Sequence, residues 1–146
     1  MRLLLLGGTS EASELARRLS ARGDIEATLS LAGRTSRRAA SPLPTRIGGF
    51  GGIAGLARYL RENGVGAVID ATHPFAAQMS ANAVAACREA GVALAVLTRP
   101  PWRAQAGDRW REVADTAEAA QALGEAPRRV LLTVGRLSAG AFRDAP

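Results

Sequence analysis

The stretch Met1–Ala12, MRLLLLGGTSEA, decides the reading of this chain. An apolar run from Leu3 to Leu6 stops at Gly7-Gly8, and Thr9, Ser10 and Glu11 then open a helical pattern. A buried parallel strand that feeds a glycine turn and a helix start makes an anion site, because free backbone N–H groups and the helix dipole converge there. Thr9 or Ser10 serves as the helix cap, with the Glu11 carboxylate in the favourable first turn. About 20 residues further on, a dinucleotide site usually places an acid on the ribose hydroxyl. Here Gly33-Arg34-Thr35 puts an arginine at a comparable strand end, which points to NADP rather than NAD.

Beyond that stretch the pattern alternates strand and helix. Strand-like segments run over Leu3–Leu6, Ile25–Leu31, Val68–Ile69, Ala93–Leu97 and Val130–Val134, with a short strand at Thr45–Ile47. Helical periodicity covers Ser10–Ala21, Ile53–Glu62, Ala76–Ala90 and Thr116–Leu123. In the first helix Ala12, Leu15, Ala16 and Leu19 keep the spacing of one buried face, and Gly23, Gly64 and Gly91 stand where left-handed caps are expected. The predicted fold class is α/β: a Rossmann-like doubly wound, mostly parallel sheet covered by helices on both faces. Both common doubly wound strand orders remain open. The loops Gly7–Thr9, Gly33–Thr35, Gly48–Gly52, Thr72–Phe75 and Arg99–Trp102 all follow strand ends, the edge where open α/β sheets bind ligands.

Composition narrows the function class. With 146 residues and 47% apolar content the chain is long enough for a real core. Cys87 is the only cysteine, which excludes an internal disulfide or zinc cluster, fits a small buried helix residue and suits a reducing cytoplasm. No apolar run reaches the ~18 residues of a membrane span. The net charge is +6, yet all 19 basic residues are arginines, scattered along the chain, and aromatics make up only 4%. Nucleic acid calls for a basic stripe or a stacking platform. A polyanionic small molecule suits arginine forks better. No metal, nucleic acid or membrane partner is expected, and the chain is expected to be a monomer.

Three further segments carry chemistry. Gly48-Gly49-Phe50-Gly51-Gly52 places four glycines around one aromatic, so backbone can approach a flat ligand while Phe50 packs against a ring. Asp70-Ala71-Thr72-His73-Pro74-Phe75 ends a buried strand with the only histidine. Thr72 reads as a helix cap with Pro74 in the first turn, and His73, three residues after an acid, is placed for hydrogen bonding or proton donation. The segment RRVLLTVGRLSAGAF near the end repeats the opening logic of strand, glycine and helix start. It predicts the start of a truncated second α/β domain, giving residues 1–125 as the NADP-binding domain and 126–146 as the first strand–helix unit of the second.

The ordered motifs GGTSEA, GRT, GGFGG, DATHPFA, RPPW and GDRW resemble the precorrin-6A reductase (cobalt-precorrin-6A reductase) family of cobalamin biosynthesis over nearly the whole chain, the anaerobic counterpart acting on a cobalt-bearing substrate. The resemblance implies two Rossmann-like domains and a hydride transfer from NADPH to the precorrin-6A macrocycle, giving precorrin-6B. It implies that Gly8, Thr9, Ser10 and Glu11 face the cofactor phosphates and that Arg34 and Thr35 hold the 2′-phosphate. Gly49, Phe50 and Gly51 would border the adenosine, with Thr72 and His73 near the nicotinamide or macrocycle. His73 is then the candidate catalytic group, and Arg99 a partner for the carboxylates of the tetrapyrrole. Cobalt-free and cobalt-bearing substrates both remain open. The alternative from another class is a non-catalytic NADP(H)-binding or interaction module.

Overall fold

The computed structural model describes residues 1–33, 40–100, 102–135 and 138–145. By contact the chain divides into Met1–Pro100 and Pro101–Pro146. In the first unit β1 (Arg2–Leu6), α1 (Ser10–Ser20), β2 (Glu26–Leu31), β3 (Thr45–Ile47), α2 (Gly52–Glu62), β4 (Ala67–Asp70), α3 (Ala77–Ala90) and β5 (Ala93–Val96) follow in chain order. All five strands pair in parallel, in the order β3-β2-β1-β4-β5, which settles the choice between the two doubly wound arrangements.

The central strand explains the layers. Side chains alternate along β1, so Leu3 and Leu5 point to one face and Leu4 and Leu6 to the other. Leu3 and Leu5 pack with Ala12, Ala16 and Leu19 of α1 and with Ala27 and Leu29 of β2. Leu4 and Leu6 pack with Leu56, Ala57 and Leu60 of α2 and Ala83, Ala86 and Cys87 of α3. Leu4 and Leu5 are fully buried, each contributing roughly 1.5–3 kcal/mol of apolar transfer free energy. Cys87 is the expected small core residue, and burial pushes its thiol pKa up.

Gly64 and Gly91 take the expected left-handed conformation, with φ of 59° and 68°. Gly23 does not: α1 closes instead through the amides of Ala21 and Arg22, which both donate to the Leu19 carbonyl. No left-handed residue is then needed to complete the last turn.

In the second unit α4 (Thr116–Gln121) is capped by Asp115, whose Oδ1 accepts from the Glu118 amide at 2.8 Å, while Glu118 Oε2 accepts from the Ala114 amide at 2.7 Å. A 3₁₀ turn spans Ala139–Phe142. The strand expected over Val130–Val134 is not formed, and Leu131 is 88% exposed. A strand persists only where its amides and carbonyls meet a ladder partner, and among the described residues of this unit there is no second strand.

Candidate active site

The glycine turn leaves β1 at the switch point of the sheet, where β2 and β4 lie on opposite sides of β1. Gly7 is held in by its amide, which donates to the Ser30 carbonyl of β2 at 2.9 Å. A Cβ there would stand 2.5 Å from Leu29 Cδ1, so any larger residue would have to displace the Leu29 side chain for the turn to lie against β2. Gly8 has φ +129° and open space above it, which lets a ligand approach the backbone closely. Among the described residues the amides of Gly8 and Thr9 have no hydrogen-bond acceptor. These two donors, with the start of α1 behind them, fit a phosphate group.

Thr9, and not Ser10, is the cap of α1. Its Oγ1 accepts from the Ala12 amide at 3.1 Å and donates to the Ala71 carbonyl at 2.8 Å, tying the turn to the loop after β4. Ser10 and Glu11 face Arg99, which follows β5. Arg99 Nε lies 2.8 Å from Glu11 Oε1, and its terminal nitrogen donates to Glu11 Oε2 at 3.1 Å and Ser10 Oγ at 3.2 Å. The helix-start amide of Glu11 and then the Arg99 guanidinium hold the Glu11 carboxyl below the usual carboxylate range. Residues expected to meet different ligands, Glu11 on the cofactor and Arg99 on the substrate, are thus in contact with each other.

The loop after β4 is built around Asp70, which is only 2% exposed. Its Oδ1 accepts from the Thr72 amide at 3.0 Å and from Thr72 Oγ1 at 2.7 Å. Thr72 is therefore not the cap of α3; that helix starts after Ala76 with no side-chain cap. A carboxylate two residues upstream captures both Thr72 donors and closes a local turn in place of a helix start. The same carboxylate is not the partner of His73, whose Nδ1 accepts from the Phe75 amide at 3.2 Å. That bond makes Nε2 the protonated nitrogen of the neutral ring, on a side chain exposed at the edge of the sheet.

The glycine loop after β3 is fastened by a residue that the sequence pattern did not single out. Arg46 donates to Ser30 Oγ at 2.8 Å, to the Gly48 carbonyl at 3.0 Å and to the Gly49 carbonyl at 3.1 Å. Its guanidinium carbon lies 3.8 Å from the centre of the Phe50 ring, and that ring meets Tyr59 of α2 edge-on at 5.2 Å. Gly51, with φ 82°, then starts α2. Arg34 and Thr35 lie outside the described residues.

A hollow of about 230 Å³ opens at the opposite edge of the sheet, between Arg2, Glu26, Tyr59 and Asn63. Its walls carry the exposed Arg2–Glu26 ion pair and no glycine turn. Chemistry therefore places the candidate site at the carboxyl edge, where Gly8, Thr9, Ser10, Glu11, Thr72 and Arg99 converge around two loops and a helix start.

The chain matches the family described as precorrin-6x reductase CbiJ/CobK over residues 2–146. It belongs to that family. It is 61% identical over 145 residues to the precorrin-6A reductase of Rhodobacter capsulatus, covering 99% of this chain and 57% of that protein. It is 50% identical to the precorrin-6A reductase of a Sinorhizobium species (99% and 56%) and 34% identical to the cobalt-precorrin-6A reductase of Salmonella typhimurium (97% and 54%). The solved CobK precorrin-6A reductase superposes with a TM-score of 0.93 at 61% identity, over 97% of this chain and 56% of that one. The chain thus spans a little over half the length of these precorrin reductases. A yeast saccharopine dehydrogenase matches at TM-score 0.54 and 18% identity, over 68% of this chain and 22% of that one, a likeness of fold alone.

Proposed function

We propose that this chain supplies the NADPH-binding half of a precorrin-6A reductase, an oxidoreductase that transfers hydride to the macrocycle and yields precorrin-6B in cobalamin biosynthesis. The observation that carries the proposal is the Gly7–Thr9 turn at the sheet's switch point, whose amides open onto the start of α1. Names of relatives at 61% and 50% identity support the reductase activity and the tetrapyrrole substrate. Residues 1–125 form the cofactor-binding domain in this proposal, and residues 126–146 open a second one. The protein works as a cytoplasmic monomer. No described helix is long and apolar enough to cross a membrane.

The cofactor, when bound, supplies the hydride. The chain's own residues hold and orient it. Amides of Gly8 and Thr9, with Ser10, take the phosphates; Arg34 and Thr35 take the 2′-phosphate; Gly49, Phe50 and Gly51 border the adenosine. Thr72 is fixed by Asp70 beside the nicotinamide end. Adding a hydride to the macrocycle also requires a proton, and His73 is the proposed donor from its imidazolium form, in which Nδ1 is protonated and gives up its bond to the Phe75 amide. Arg99 is proposed to meet a substrate carboxylate.

The decisive experiment compares NADPH and NADH binding by the wild type and Arg34→Glu. A charged hydrogen bond is worth ~1.5–3 kcal/mol, so NADPH should weaken by roughly 10–150-fold while NADH changes little. Equal losses for the two cofactors would remove Arg34 from the 2′-phosphate. Failure of the wild type to bind NADPH would overturn the cofactor reading itself.

A further inference from the structure

We propose that Arg46 is a positioning residue for the adenosine side of the cofactor, a role that rests on the NADPH reading above. Arg46 sits in the edge strand β3 and reaches across to Ser30 of β2, whose carbonyl in turn accepts from the Gly7 amide. One guanidinium therefore links the glycine loop after β3 to the strand that holds the phosphate turn.

The orientation of the loop's peptides follows from its bonds. Arg46 draws the carbonyls of Gly48 and Gly49 towards its guanidinium, and no peptide bond of the described chain is cis. In a trans peptide the N–H points opposite to the C=O. The amides of Gly49 and Phe50 therefore face away from Arg46, and among the described residues neither has an acceptor. Phe50 is constrained in the same way. The guanidinium covers one face of its ring, Tyr59 meets it edge-on, and the ring packs against the core cluster that holds Leu56 and Leu60, so Phe50 fixes the loop in place. Two outward donors on a loop held in this way suit a purine ring with acceptor atoms on its edge.

Only arginine fits this task. Its planar fork bonds two carbonyls and a hydroxyl while the same plane stacks on the phenylalanine. A lysine keeps the charge but has no plane to stack and no fixed fork. Arg46→Lys therefore separates positioning from simple attraction between charges.

The test measures binding of NADPH, adenosine 2′,5′-bisphosphate and reduced nicotinamide mononucleotide to wild type, Arg46→Lys and Phe50→Leu, with thermal unfolding of each. In Arg46→Lys we expect NADPH and the adenosine half to weaken by roughly 5–10-fold, and the nicotinamide half to be unchanged. Phe50→Leu should weaken the same two ligands, and the double variant should lose less than the product of the single losses. Equal losses for both halves, or unchanged binding of the adenosine half in folded Arg46→Lys and Phe50→Leu, would overturn the proposal. A wild type that binds neither NADPH nor the bisphosphate would sink the cofactor reading on which it rests, which is a different result.

Discussion

Gly55 in the first turns of α2 should be among the least replaceable residues of the chain. A Cβ at Gly55 would overlap the Phe50 carbonyl oxygen and lie 2.8 Å from the Phe50 carbonyl carbon. The obstacle is backbone, so no rotamer change relieves it. In an exposed helix interior, glycine to alanine stabilises by about 1 kcal/mol through backbone entropy. Here the loop must lift away, against an overpacking cost of about 1–3 kcal/mol. Lifting also loosens the edge contact of Phe50 with Tyr59, worth about 0.5–1.5 kcal/mol, and the stacked Arg46, worth about 0.5–2 kcal/mol. The opposing terms leave Gly55→Ala about 1–5 kcal/mol less stable than wild type. For a chain of this size, that corresponds to a fall in Tm of roughly 3–15 °C. Thermal unfolding followed by circular dichroism measures it. Gly23→Ala is the control, because Gly23 has no positive φ and nothing within 4 Å of an added Cβ, and it should stay within about 0.5 kcal/mol of wild type. If Gly55→Ala proved as stable as wild type, or gained the full propensity term, the Phe50 carbonyl would not lie against α2. The account of the glycine loop would then be wrong.

Two further outcomes follow from the phosphate turn. Thr9→Val keeps the shape but loses both the cap to the Ala12 amide and the bond to the Ala71 carbonyl, costing about 1–2 kcal/mol in chemical denaturation. Thr9→Ser should retain most of it, and a Thr9→Val chain as stable as Thr9→Ser would remove the hydroxyl from both roles. The Glu11 carboxyl lies below its ordinary value of 4.5, so its coupling to Arg99 is fully present above pH 4.5 and lost only as the pH falls through the lowered folded value. The Nε–H signal of Arg99 in an NMR titration should therefore move with a midpoint below pH 4.5, while a midpoint at or above 4.5 would contradict the pairing.

How much of this was legible depends on whether the cause is local. Leu3–Leu6 followed by two glycines specifies a buried strand and its turn within a dozen residues, and the odd–even split of those leucines between the two cores follows from the pleat alone. The same logic misplaced Val130–Val134, because an apolar run reports what can pair and not whether a neighbour is there. Thr72 before a proline looks like a cap, yet a carboxylate two residues earlier competes for its donors and wins. Arg46 left no residue-type signal at all: two of its partners are backbone carbonyls, and the third is a serine 16 positions away. Gly55 reads as an ordinary weak point in a helix until the Phe50 carbonyl is seen against it. Strand order escaped for the same reason, since pairing across the sheet joins segments such as β1 and β4 that lie far apart in the chain.

The carboxyl edge also has a shared construction that no single motif reveals. Among the described residues, the loops after β1, β3, β4 and β5 are fastened by side chains to a neighbouring element rather than only to their own strands. Thr9 holds the turn after β1 to the loop after β4, and Arg99 holds the segment after β5 to the start of α1. Arg46 holds the loop after β3 to β2, whose Ser30 carbonyl anchors the turn after β1. The sheet's parallel strands make this possible, since they bring every loop out at one edge within side-chain reach. Glycines at the turns keep backbone close to any ligand, and the cross-loop bonds supply the rigidity that those glycines remove. Substitutions at Thr9, Arg46 and Arg99 should accordingly be non-additive wherever they share a loop, because each one loosens the element on which the next one bears.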